Sequence, residues 1–247
     1  MELKPTDHGF SNAADALAWL VAMGADEITL DQPIDRFAES AKVVAPSAPK
    51  ATPLPVTVKQ IADVSGLKSI AEITKALNFL ETHPLKKSSS RLSFFEGPER
   101  ADILIISDHP RKEEDRSGLV FADKARLLLT NMLAAIGLKL EDMALMNLLP
   151  WRVLGGAKAR PADVQAVLPY AKRAVELVQP KIILAISSLP GQYLADADAS
   201  IQRQRGKWLD ASGIPLLATL HPEELLRNPT LKRMAWRDLQ LFQEKLK

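Results

Sequence analysis

The chain contains no cysteine in 247 residues, which excludes disulfides, thiolate metal ligands and cysteine nucleophiles. No apolar run approaches the ~20 residues of a membrane-spanning helix, and the N-terminus lacks a signal-peptide pattern. Nothing therefore points to a membrane, and a cytoplasmic setting is expected. Aromatic residues are scarce at 5% and histidines number four, so each one set beside polar residues carries weight. There is no Walker-type or dinucleotide fingerprint, because the apolar run Ile103–Ile106 leads into Ser-Asp-His-Pro-Arg without a glycine. Nucleotide hydrolysis and hydride transfer are accordingly weak readings, and no cofactor is expected.

What is present divides the chain. Prolines at 46, 49, 53 and 55 make 43–57 an extended linker. It separates a helical extension over 1–42, with one amphipathic helix at 11–24, from a core domain over 58–247. Net charge is only +2 but uneven: residues 201–247 hold nine Lys/Arg against five Asp/Glu. A polyanion-binding face needs such a region, and a solvated helix surface also produces one.

Within the core, apolar strands at 103–106, 144–149, 181–186 and 214–219 alternate with helices at 122–136, 161–179 and 229–245. That alternation predicts βαβ units, hence a three-layer α/β/α domain around a central four-stranded parallel sheet. Polar residues follow directly on each strand: Asp108 and His109, Asn147, Ser187 and Ser188, and His221. In a parallel sheet those ends share one edge, where open α/β sheets build their sites. His109 and His221 each precede a proline; they can shuttle a proton or serve as turn residues, and as a metal pair they lack a third ligand. Asn147 places an amide in an apolar strand, suited to a base edge or to a core hydrogen bond. Phe121 is a stacking platform or a core residue.

These residues assemble into a resemblance. From about Leu77 onward the chain resembles the uracil-DNA glycosylase superfamily, and within it the bacterial iron–sulfur (family 4) branch. The segment LATLHPEELLRNPTLKRMAWRDLQ (217–240) looks like the HP-x-x-LLR motif and closing helix. Arg205-Gly206-Lys207-Trp208 matches an R-G-x-W segment, Met146-Asn147 the T-N strand end, and EDRSGLVF (114–121) the E-D-R-x-G-x-x-F stretch. The helical extension and proline linker look like the leader of alphaproteobacterial members, and residues 1–42 would meet a protein partner.

The resemblance implies an enzyme that flips uracil out of single- or double-stranded DNA and cleaves its glycosidic bond. Phe121 would stack on the base and Asn147 hydrogen-bond its polar edge. His221 would stabilise the departing anion, and Asp108 or His109 would activate water. Ser187, Arg205, Lys207, Leu226 and Arg227 would meet the DNA. The departures are equally specific. Where the family reads G-E-A-P-G, this chain reads Ser107-Asp108-His109-Pro110-Arg111, which places Arg111 to fill or cap the pocket. Glu223 stands where the family offers a hydroxyl to phosphate. Leu80, His83, Trp151 and Val167 fall at the positions of the four cluster cysteines, so no cluster can be held. Two readings follow: a glycosylase of altered or reduced activity, or a catalytically inactive descendant that binds DNA or a protein.

Overall fold

A computed structural model describes residues 64–156 and 158–246; the helical extension and the proline linker lie outside the described residues. In chain order the helices are α1 (Ile70–Asn78), α2 (Pro84–Ser88), α3 (Lys112–Ser117), α4 (Asp123–Ala134), α5 (Pro161–Val178), α6 (Ser188–Leu194), α7 (Ile201–Gln204), α8 (Pro222–Arg227) and α9 (Lys232–Leu246). The strands are β1 (Phe95–Glu96), β2 (Ile103–Ser107), β3 (Ala144–Asn147), β4 (Ile182–Ile186), β5 (Trp208–Ala211) and β6 (Ile214–Thr219). Among the described residues, no helix is long and apolar enough to cross a membrane.

Strand alternation creates the layers. Leu104, Ile106, Ile183, Ala185, Leu216 and Ala218 point to one face, where they meet α1 and α5 through Ile73, Leu77, Val164, Val167 and Ala171. Ile105, Leu184, Ile186 and Leu217 point to the other, against Leu129 and Leu133 of α4 and Leu239 and Phe242 of α9. Both faces of β2 and β4 are covered, which is why these strands are continuously apolar instead of alternating.

The sheet departs from the expected four parallel strands. It has six, in the order β1-β3-β2-β4-β6-β5, and it is mixed, because β1 runs antiparallel to β3 and β5 antiparallel to β6. β5 and β6 form a hairpin closed by Ser212 and Gly213, whose φ angles are 56° and 91°. Two left-handed residues in a row give the two-residue turn whose twist matches the flanking strands. Both extra strands lie at the sheet's edges. β1 is only two residues long and β5 is largely exposed, so neither carries the apolar signature of a buried strand.

The four positions that the resemblance assigns to cluster cysteines are filled by packed side chains. His83 accepts the Leu85 N–H at Nδ1 (3.3 Å) and contacts the Asp163 carbonyl through Nε2 (3.2 Å). Its ring lies 4.6 Å from that of Trp151, which is 2% exposed. Trp151 and Val167 belong to the same apolar core, with Leu80 packed at its margin. These side chains offer no thiolate, so an iron–sulfur cluster does not fit, and packing supplies the cohesion instead. Trp151→Ala is expected to cost about 3–5 kcal/mol of stability, as large buried aromatics do; the shift in the urea midpoint measures it.

Candidate active site

The parallel register aligns the strand ends. Ser107 pairs with Asn147 across β2–β3 and with Ile186 across β2–β4, and Ile186 pairs with Thr219 across β4–β6. Asn147, Asp108, Ser187 and His221 therefore come off one rung of the sheet, although they span more than a hundred positions of sequence.

Three buried polar atoms at this edge have no hydrogen-bond partner: Asn147 Oδ1, Ser187 Oγ and His221 Nε2. Buried polar groups are nearly always paired, so three unpaired ones at the ends of three of the four parallel strands mark a candidate binding site. Two of them are fixed from behind. Asn147 is fully buried, and its Nδ2 donates to the Ser93 carbonyl (3.0 Å) and to Ser93 Oγ (2.9 Å). The amide thus makes the backbone bond of a core asparagine and still presents an unpaired oxygen. His221 caps α8, its Nδ1 accepting the Glu223 N–H at 3.1 Å. Burial, then the nearby Arg111 charge, lowers its pKa to about 3. The ring is neutral at physiological pH, and with Nδ1 an acceptor the proton sits on the unpaired Nε2. Phe121 is fully buried with its ring 5.7 Å from that of His221; it is both a core residue and a wall of the site.

Above this trio lies a charged layer. Asp108 Oδ1 accepts the His109 N–H (2.9 Å), and Oδ2 accepts Arg111 Nη2 (3.2 Å). Burial opposes ionisation of Asp108, but Arg111 and His109 outweigh it and hold its pKa below the usual carboxylate value. Burial lowers the His109 pKa and Asp108 only partly restores it. Arg111 Nη1 lies 2.9 Å from both His109 ring nitrogens, and Arg111 Nε is 3.1 Å from Glu223 Oε2. Glu223 Oε1 in turn accepts Arg227 Nη2 at 2.7 Å. Arg111 thus bridges the β2 loop to α8, beside a groove of about 660 Å³ walled by Ala122, Leu127 and Leu226. Glu114, which accepts the Arg111 backbone N–H at 2.6 Å, has its pKa raised by burial to about 8.

The match to known proteins is extensive. A model of the Uracil DNA glycosylase superfamily matches residues 94–240. The chain belongs to that superfamily. It is 28% identical over 174 residues to a type-4 uracil-DNA glycosylase of Archaeoglobus fulgidus, covering 67% of this chain and 87% of the relative. A type-4 enzyme of Thermotoga maritima is 27% identical (64% and 84% covered), and one of Saccharolobus solfataricus 30% identical (61% and 74%).

The expected DNA-facing residues separate within this superfamily frame. Lys207 and Arg227 are exposed and Leu226 is 39% exposed on α8. Arg205 is instead turned inward. Its Nε and Nη2 meet the two Asp238 oxygens at 3.1 and 2.9 Å, and Thr219 Oγ1 donates to the same carboxylate. It ties α9 to β6. Among the described residues, no three His, Cys, Asp or Glu side chains group as a metal site would need. Sequence reasoning missed Ser93, whose role shows only once β1 lies beside β3, and the backbone of Ser187, at φ 126° and ψ −178°. That region is essentially glycine-only and costs about 1–3 kcal/mol for other residues. Ser187→Gly is expected to raise stability by about 1 kcal/mol after glycine's own entropic cost, read as a higher melting temperature.

Proposed function

We propose that this chain is a DNA glycosylase that hydrolyses the N-glycosidic bond of uracil, or a closely related base, flipped out of DNA. The observation that carries the reading is the trio of unpaired buried atoms on three strand ends, next to the Phe121 ring. An amide oxygen and an imidazole N–H, both held rigidly, complement the N3–H donor and the O2 acceptor of uracil. Type-4 uracil-DNA glycosylases as relatives support the same substrate class.

The chemistry follows from the side chains. As the bond between the sugar C1′ and the base N1 breaks, its electron pair moves onto the base and negative charge gathers at O2. A preorganised N–H from neutral His221 stabilises that charge more than it does the ground-state carbonyl, which is what accelerates the step. Asn147 fixes the base, and Phe121 stacks on it. Asp108, held ionised, orients the water that attacks C1′ and takes up its proton; His109, neutral but with its ring nitrogens against Arg111, is the second candidate for this task. Ser187, Lys207, Leu226 and Arg227 would meet the strand around the flipped nucleotide; the exposure of the last three supports this.

The specific feature of this member is the Arg111–Glu223 bridge, which covers the edge where the base would enter and reduces activity. The same bridge favours the alternative that the chain is a catalytically inactive descendant acting as a binding module. A gel assay on uracil-containing single- and double-stranded oligonucleotides tests the proposal: an alkali-labile product is expected. No product on either strand form, with salt-dependent binding retained, would leave the binding-module reading.

A further inference from the structure

We infer that the exposed face of the first two turns of α9 is a second nucleic-acid contact, a stacking platform for single-stranded DNA centred on Trp236. Four residues compose it. Lys232, Arg233, Trp236 and Arg237 are all exposed, Trp236 by 41%. At 100° per residue Trp236 falls between Lys232 on one side and Arg233 and Arg237 on the other. The opposite face of the helix, through Ala235, Asp238, Leu239 and Phe242, is buried against the sheet.

Two features separate this face from an ordinary solvated helix. First, its cations are unneutralised: Lys232, Arg233 and Arg237 have no ion-pair partner among the described residues, whereas Arg205 and Arg227 are paired. No acidic residue shares the exposed surface of these two turns; Asp238 is buried and bound to Arg205. Second, an indole is left uncovered at the centre of the positive charge, although α9 has an apolar face available for it. A sequence-tolerant single-strand site combines these parts: cations for phosphates and an aromatic plane for a base. The platform is also continuous with the strand-edge site. β6 leads into His221 and α8, and Leu231, immediately before α9, packs against Leu220 and Leu225. A strand whose flipped base enters beside His221 would pass Arg227 and reach Trp236. In this respect the inference rests on the glycosylase reading.

The test is fluorescence anisotropy with a labelled, uracil-free single strand and the same sequence as a duplex, using the full chain. Trp236→Ala is expected to weaken single-strand binding by about 5- to 100-fold, with Trp236→Phe retaining most of it. Changing Lys232, Arg233 and Arg237 together to glutamine is expected to reduce the slope of log affinity against log salt by about 2, near 0.7 per lost cation. Both sets lie on the surface, and unchanged melting temperatures confirm folding. Wild-type affinity and salt slope in all variants, or no single-strand binding by the wild type, overturns the inference. So does unchanged DNA binding joined to a loss of self-association in Trp236→Ala, which assigns the face to a second copy. Because the probe carries no uracil, uracil excision that persists beside Trp236-independent binding defeats this inference alone.

Discussion

His221→Ala is expected to lower single-turnover uracil excision by about two to three orders of magnitude, the usual cost of deleting one preorganised donor to a developing anion. DNA affinity should change far less, because the Nε2–H stabilises the transition state more than the bound base. Asn147→Ala is expected to act in the same direction but to weaken binding as well, since its oxygen meets base and transition state alike. Turnover unchanged in both variants would defeat the site assignment. The protonation state of His221 gives a second readout. Unfolded, the ring takes up a proton near pH 6.5; folded, it stays neutral until about pH 3. Its contribution to stability is therefore complete above pH 6.5 and is lost as pH falls toward 3. Urea midpoints of His221→Gln should show a shallower decline across that window than the wild type. His83 and His109, lowered by burial in the same sense, keep some of the slope. In catalysis the same shift means that the excision rate has no inflection near pH 6.5 from this ring.

The strand-end residues were legible because a buried parallel strand must be apolar throughout. An Asn, a Ser-Asp-His or a His at its end therefore stands out, and a parallel register then brings such ends together. The edge strands were not legible for the complementary reason. β1 and β5 are short and half solvated, and their pairing is specified by tertiary packing and by the Ser212–Gly213 turn more than by composition. Arg205 illustrates a second limit. A guanidinium in a basic segment reads as a phosphate contact, and only Asp238, thirty-three residues on, reveals it as a strut. Ser187 illustrates a third: its sequence context gives no sign of a backbone at φ 126°, a conformation that favours glycine.

Glu223→Ser is expected to raise DNA affinity about three- to tenfold and to steepen its salt dependence, the reverse of what loss of a surface ion pair usually does. Both Glu223 oxygens are engaged, one by Arg111 and one by Arg227. These partners are partly or largely exposed, so the pairs themselves contribute little stability. What the glutamate does is place an anion on the path of the phosphates and neutralise two cations that would otherwise meet them. Freeing both should increase the salt slope on duplex DNA by up to about 0.9 per cation. Arg111→Gly acts at the other end of the bridge. It removes the guanidinium from His109 and Asp108, opens the edge and should raise kcat. Asp108 meanwhile loses the strongest of the charges that keep it ionised against burial, so the acid limb of the excision profile should move to higher pH. A gain at neutral pH together with that upward shift identifies Asp108 as the water-directing group, with Arg111 acting through it. A gain with an unmoved acid limb transfers that task to His109, and no excision in either variant leaves the bridge as the mark of a chain that binds DNA without cutting it.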